Sequence, residues 1–388
     1  MTIFRAMQRA VLVTAMALAA TSAQSAEKIK VGFLLPATGT YAQLGTMIEN
    51  GFRLYIDEQG GSLGGREIEY VKVDSEADPS KAVDNVNKLI KQHEVDVLVG
   101  SVHSGVAMAM AKVAKGTGTL LIVPNAGANA VTGPMCAPNT FRSSFSNWQP
   151  GYAMGQAVAK EGHKTAVTIT WKYAAGEEMV KGFIEAFEEA GGEIKEELYV
   201  PFPNVEFQAL LTQIAAAKPD AVFAFFAGGG AVKFVKDYAA AGLKQGIPLY
   251  GTGFLTDGTL EAQGADADGV KTTLHYADGL DTPRDNAFRE AYAKAYGAQP
   301  DVYAVQGYDA AQMLGIGLAA VDGDASNVEG FAAALEQATI DSPRGAFTLS
   351  KSHNPVQNFY LRQVIDGENK AIGVASEALA DPGRGCRM

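Results

Sequence analysis

The sequence predicts an α/β protein made of two doubly wound parallel-sheet lobes. Three observations lead there. Short apolar runs alternate with helix-length amphipathic segments, the pattern of βαβ units and parallel sheets. The alternation comes in two series, each of about 120 residues, separated by a break, so two domains of ordinary size are expected rather than one. A chain of 388 residues with 47% hydrophobic and 19% charged residues has the composition of a packed globular protein, not of a disordered or collagen-like one.

The elements follow in order. Lys28–Leu35 reads as a strand stopped by Pro36, and the loop Ala37–Gly45 leads into a helix that ends before the glycine-rich turn Gly60–Gly65. Glu67–Val73 alternates as a half-buried strand. Asp78-Pro79 supplies an N-cap and a first-turn proline for a helix whose apolar face is Ala82, Val86, Leu89 and Ile90. Val95–Val99 is a strand, Ser104–Ala114 a helix and Leu120–Val123 a strand closed by Pro124. In the second series, Pro150–Lys160, Gly176–Ala190, Phe207–Ala217 and Ala231–Ala241 read as helices. The strands between and after them are Ala166–Thr170, Ile194–Val200, Ala221–Phe226 and Pro248–Thr252. From Arg284 the chain is mostly helical as far as Phe347, with a strand-like run at Phe359–Ile365. This last third is too poor in strands for a third domain and is expected to return to the first two. The division read from these patterns is 27–145 plus 277–355 for lobe I and 146–276 plus 356–388 for lobe II, with crossings near Phe145, Tyr276 and Val356.

The N-terminus carries Arg5 and Arg9 ahead of the apolar run Ala10–Ala20, and small residues follow through Ala26. A charged start, a short apolar core and a small-residue exit describe a secretory signal peptide, with cleavage expected after Ala23 or Ala26. The run is shorter than the roughly 20 residues of a membrane span. With 32 basic against 43 acidic residues the net charge is −11, and losing residues 1–26 makes the remainder two charges more negative. Nucleic acid is therefore a poor partner, and an exported, monomeric soluble protein is expected.

In parallel sheets, ligands bind beyond the carboxyl ends of strands, where loops enter helix N-termini. Those loops here are Pro36–Gly45, Gly100–Gly105, Pro124–Ala128, Trp171–Gly176, Ala227–Gly230 and Gly251–Thr256. They are rich in Gly, Ser, Thr, Asn and aromatic residues, and poor in acid–base groups. No dinucleotide fingerprint, phosphate loop, nucleophile elbow or metal-ligand spacing occurs, so neither a cofactor nor a metal is expected, nor catalysis. Asp322, Asp324 and Ser326 imitate the start of a calcium loop, but Asn327 and Ala333 stand where such a loop needs Gly and Glu. His103-Ser104 offers a base beside a nucleophile. Adjacent residues rarely aim at one proton, so the pair reads as a ligand donor or a helix cap. Gly228-Gly229-Gly230 allows three readings: a phosphate nest, a close approach of backbone to a ligand, or a plain strand-to-helix turn.

The ordered series KIKVGFLLPATGTYAQLG, Ile56–Gly61, Asp74–Pro79, Val99–Ser101, Ile122–Ala126, Thr140–Arg142 and Gln306–Ala310 resembles the type I periplasmic solute-binding proteins of branched-chain amino-acid ABC transporters. The likeness covers essentially all of the chain after residue 26. It implies a three-crossover hinge, a ligand trapped between closing lobes, and delivery to a membrane ABC permease without chemistry. By the same resemblance Ser104 matches the hydroxyl that grips the ligand carboxylate, Asn125 a backbone contributor, and Tyr303 an aromatic wall. Gly127 stands where amino-acid binders carry Thr. Leu44, Ala175 and Gly229 replace aromatics, and Gly253 replaces the acid that pairs with the ligand's ammonium. An unpaired buried ammonium costs several kcal/mol, so a carboxylate without an ammonium is expected. An aromatic acid of benzoate or phenylpropenoate type fits, with Phe226, Phe254, Tyr173 and Trp148 as planar walls. Tyr41, Val102, His103 and Ala126 complete the expected site. A branched-chain amino acid or amide as ligand, or a sensor for a membrane signalling partner, stand as alternatives.

Cys136 and Cys386 are the only cysteines. Export favours a bridge between them, which pins the C-terminal tail and closes a loop of about 250 residues.

Overall fold

The computed structural model describes residues 27–388; the expected signal segment lies outside them. The first series folds into a six-stranded sheet of order β2-β3-β1-β4-β5-β6. Its strands are β1 Ile29–Leu35, β2 Ser62–Leu63, β3 Arg66–Asp74, β4 Val97–Gly100, β5 Leu120–Val123 and β6 Thr140–Arg142. Helices α1 Ala42–Glu58, α2 Pro79–Lys91 and α3 Ser104–Thr117 make the crossovers, and every pairing except β2–β3 is parallel. The Asp78 side chain caps α2 by accepting from Ser80 N, with Pro79 in the first turn.

The second series runs α4 Trp148–Lys160, β7 Thr165–Lys172, α5 Ala174–Glu189, β8 Glu193–Pro201, α6 Gln208–Ala217 and β9 Ala221–Phe225. It continues with α7 Gly228–Ala240, β10 Leu249–Thr252, α8 Leu260–Gln263 and β11 Lys271–Leu274. The chain then makes α9 Pro283–Tyr296, α10 Val302–Ala320 and α11 Val328–Gln337 before β12 Thr348–Leu349, β13 Pro355–Ile365 and β14 Glu368–Leu379. These last strands join the second sheet, giving the order β12-β13-β11-β10-β9-β7-β8 with β14 on β13. The β11–β13 and β13–β14 pairs are antiparallel, a mixed edge on a parallel core.

Five strands escape the sequence reading. β2, β6, β11 and β12 are two to four residues long, too short to show periodicity. β14 alternates weakly because most of it is exposed. α7 starts at Gly228, earlier than read, so the glycine triplet is the helix's first turn.

Glycines let helices touch where the lobes take shape. A Cβ at Gly51 would overlap the Ala304 carbonyl and one at Gly307 the Ile48 carbonyl, so α1 and α10 pack backbone to backbone. Gly151 and Gly155 of α4 do the same against Met179 and Phe183 of α5. Two Arg–Asp pairs are buried: Arg362–Asp257 at 2.7 Å and Arg344–Asp309 at 3.4 Å. Cys136 and Cys386 are joined, with Cα atoms 5.6 Å apart. The tail carrying Cys386 is also held by Arg384, which pairs with Glu185 of α5 at 2.7 Å.

Candidate ligand-binding site

The strand-end loops of the two sheets face each other around a small, tightly lined cavity. From the first sheet come Tyr41 and Leu44 at the start of α1, Val102 and Ser104 at the start of α3, and Asn125 and Gly127 after β5. The second contributes Tyr173, Ala175 and Met179 around the start of α5, Phe225 and Ala227 at the end of β9, and Phe254 after β10. Phe145 and Asn147 enter from the segment linking β6 to α4, and Tyr303 from the first turn of α10.

Polar groups are few and placed. Ser104 begins α3, where unpaired helix amides favour an anion. The His103 ring caps that helix, its Nδ1 accepting from Gly105 N at 3.1 Å. His103 stacks on Tyr173 at 4.6 Å, and burial lowers its pKa to about 4, so it is neutral at neutral pH. It stands behind the wall rather than in it, as a helix cap. The Asn125 side chain is spent on Gln306 at 2.8 Å, leaving backbone to face the cavity. Tyr41 and Tyr173 link the two lobes through their hydroxyls at 2.8 Å, and burial pushes both phenols up. The hydroxyl of Tyr303 and Oδ1 of Asn147 are buried without a partner. Among the described residues, no Asp, Glu, Lys or Arg side chain lines the cavity.

Six residues expected at the site lie elsewhere, His103 as the helix cap just described. Phe226 points to the opposite side of β9 from Phe225 and packs with Trp171, Phe207 and Phe234, because alternate strand residues face opposite ways. Trp148 stacks on Tyr152 at 4.4 Å, with its indole N–H on Glu185, and lines a separate groove. Ala126 is buried in the core on the α3 side, between the two lining residues Asn125 and Gly127.

The glycine positions differ most from expectation. Gly229 approaches Thr40 of the opposite lobe, not the cavity. Its neighbour Gly228, at φ +55°, has no room for a Cβ against the Thr40 carbonyl, and Gly230 lies against the Trp171 indole. Gly228 and Gly229 thus serve close approach of the lobes, and Gly230 serves packing within its own lobe. Gly253 is walled off from the cavity: a Cβ there would meet Leu274 and the Arg362 guanidinium. That guanidinium is held by Asp257, Thr272 and the Gly253 carbonyl. At Gly127 a Cβ would sit 2.5 Å from Phe145 Cε2 and overlap Asn147 Oδ1. The side chain absent from 127 is thus replaced by two that arrive from residues 145 and 147. Those two, with Met179, Phe225 and Ala227, are lining residues the sequence reading lacked. Strand alternation at Phe225 and the strand-end loop beginning at Ala227 offered signals for two of them.

Residues 28–369 match the periplasmic binding protein family. A solute-binding protein of an ABC transporter from R. palustris, in complex with benzoate, is 54% identical with a TM-score of 0.91, covering 93% of this chain and all of that one. Another from Rhodopseudomonas palustris BisB5, in complex with 3,4-dihydroxybenzoic acid, is 34% identical with a TM-score of 0.86, over 92% of this chain and 99% of that one. Leu/Ile/Val-binding protein homolog 6 of Brucella melitensis is 30% identical over 376 residues, 94% of this chain and 95% of that protein. By matched length and fold, this chain belongs to the periplasmic binding protein family.

Proposed function

We propose that the chain is the extracytoplasmic receptor of an ABC uptake system and traps an aromatic monocarboxylate, of benzoate type, between its lobes. One observation carries the ligand class. The cavity has aromatic and aliphatic walls, a hydroxyl at a helix N-terminus, and no acidic side chain among its lining residues to meet an ammonium. A planar acid places its carboxylate at Ser104 and its ring among Phe145, Phe225, Phe254 and Tyr303. The benzoate and dihydroxybenzoate complexes of the similar receptors support the same class.

In this reading residues 1–26 direct export and are removed, the receptor acts as a monomer, and it hands its ligand unchanged to a membrane permease. Lobe I takes 27–145 and 277–355 and lobe II takes 146–276 and 356–388, hinged near Phe145, Tyr276 and Val356. The Leu/Ile/Val-binding relative favours a second reading, an aliphatic amino acid as ligand.

Calorimetry with benzoate, hydroxybenzoates and leucine separates the two. Micromolar or tighter binding of at least one aromatic acid is expected, with leucine weak or absent. Ser104→Ala weakens the aromatic acid by about 1–3 kcal/mol. Leucine bound more tightly than every aromatic acid overturns the proposal.

A further inference from the structure

Asn147 occupies the space left by the missing side chain of Gly127 and has an orientation imposed from behind. Its Nδ2 donates to Glu178 Oε2 at 2.8 Å and approaches Ser104 Oγ at 3.3 Å. Its Oδ1 lies over Gly127, buried and without a partner, beside the cavity that Asn147 lines. Glu178 is held in turn: Oε2 accepts from Asn129 N at 2.9 Å, and the glycine-mediated contact of α4 with α5 fixes its helix against the segment bearing Asn147. Glu178 also lines a groove on the far side, shared with Trp148, Asp381 and Arg384. It therefore stands between the ligand cavity and a second opening.

A carboxylate seated beside Ser104 meets the wrong end of this amide. Two acceptors, the ligand oxygen and Asn147 Oδ1, face each other with no proton between them. A half-turn of the amide relieves the conflict: Nδ2 turns to the ligand and Oδ1 turns to Glu178. An ionised Glu178 is acceptor-only and cannot meet an amide oxygen, so it must carry a proton. The incoming negative charge acts in the same direction on a carboxyl that burial already disfavours as an anion. We propose that Asn147 is the specificity-determining donor for the ligand carboxylate and that Glu178 is its positioning residue. Capture of the anion then takes up one proton at Glu178, delivered from water through the groove.

The surroundings of Glu178 oppose this only weakly. Arg142 of β6 and Lys181 of the same helix favour its anion. Arg142, however, spends its guanidinium on the carbonyls of Ala126, Phe145 and Ala128. Across the groove, Arg384 is paired with Glu185, and Asp381 adds a like charge.

The proposal rests on the ligand being a carboxylate, and the test separates the two claims. Benzoate is titrated into the full-length mature protein between pH 6 and 8 in buffers of different ionisation enthalpy. Proton uptake approaching one per ligand is expected, with affinity falling by up to tenfold per pH unit as pH rises. Glu178→Gln, whose amide can face Asn147 with either end, binds benzoate with no uptake and a flat pH profile. Asn147→Ala weakens benzoate by about 10- to 150-fold, the loss of one hydrogen bond to a charged group. Benzoate binding without proton uptake overturns this proposal alone, as does uptake that persists in Glu178→Gln. A preference for 2-hydroxybenzoate with no uptake also overturns it, since the ligand then supplies a donor to an unturned amide. Absence of benzoate binding in the wild type overturns the ligand assignment and this proposal with it.

Discussion

The hydroxyl pair of Tyr41 and Tyr173 is the most direct handle on closure. The two groups come from opposite lobes and meet at 2.8 Å in a partly buried contact. When the lobes separate, each is hydrated. Tyr41→Phe therefore costs little in the open state and strands the Tyr173 hydroxyl in the closed one. An unsatisfied buried hydroxyl costs about 1–3 kcal/mol. Because ligand binding drives closure, that penalty appears in the dissociation constant, as a rise of about 5- to 150-fold. Tyr173→Phe should do the same from the other side. The double variant is decisive: with both hydroxyls gone nothing polar is stranded, and its affinity should lie closer to wild type than either single variant's. Calorimetry with benzoate on all four proteins measures the cycle, and urea unfolding of the free proteins checks that overall stability changes little. Additive losses, with the double variant weakest, would refute the reasoning and reduce the pair to two independent ligand contacts.

Gly127→Thr restores the hydroxyl of the amino-acid binders but drives its Cβ into Asn147 and Phe145, so it should abolish aromatic-acid binding without creating leucine binding, as calorimetry reads. His103 is neutral in the fold with a pKa near 4, below the usual value of about 6.5, so its contribution is present above pH 6.5 and is lost as pH falls toward 4. The stability gap between wild type and His103→Asn in urea should narrow by about 2 kcal/mol from pH 7.5 to pH 5; an unchanged gap refutes the assignment. Cys136 and Cys386 should give no free thiol on titration of the unfolded, unreduced protein. Cys386→Ser should cost up to about 5 kcal/mol, the chain-entropy ceiling for so long a loop.

The two-lobe architecture was legible because its signals are local and repeated. Each crossover helix needs an apolar stripe and each central strand a continuous apolar run, and both kinds of pattern stand in the chain whatever the final packing. What escaped was decided by tertiary context. β6 pairs parallel to β5 in only three residues. β11 is four residues long between β10 and β13, and β14 exists because β13 offers it an edge. None has enough length or burial contrast to show in sequence, though β11 and β14 complete the sheet on which Phe254 is mounted.

The site was legible as chemistry and less so as geometry. Strand-end loops of known position gave Tyr41, Ser104, Gly127, Tyr173 and Phe254, since a parallel sheet fixes where such loops point. Reading absent side chains as empty room was the weaker step. Gly253 lacks an acid, but its Cα faces Arg362 and Leu274, so an acid there would need a different wall and not simply a larger residue. Gly127 lacks a Thr, yet Asn147 and Phe145, carried on the segment between β6 and α4, fill the space. A glycine in sequence reports that its own side chain is missing. It does not report which neighbour has moved in, because close packing lets the nearest flexible chain take the volume. The ligand class therefore follows from the whole lining set, which lacks a carboxylate wherever its members come from, more securely than from any single substituted position.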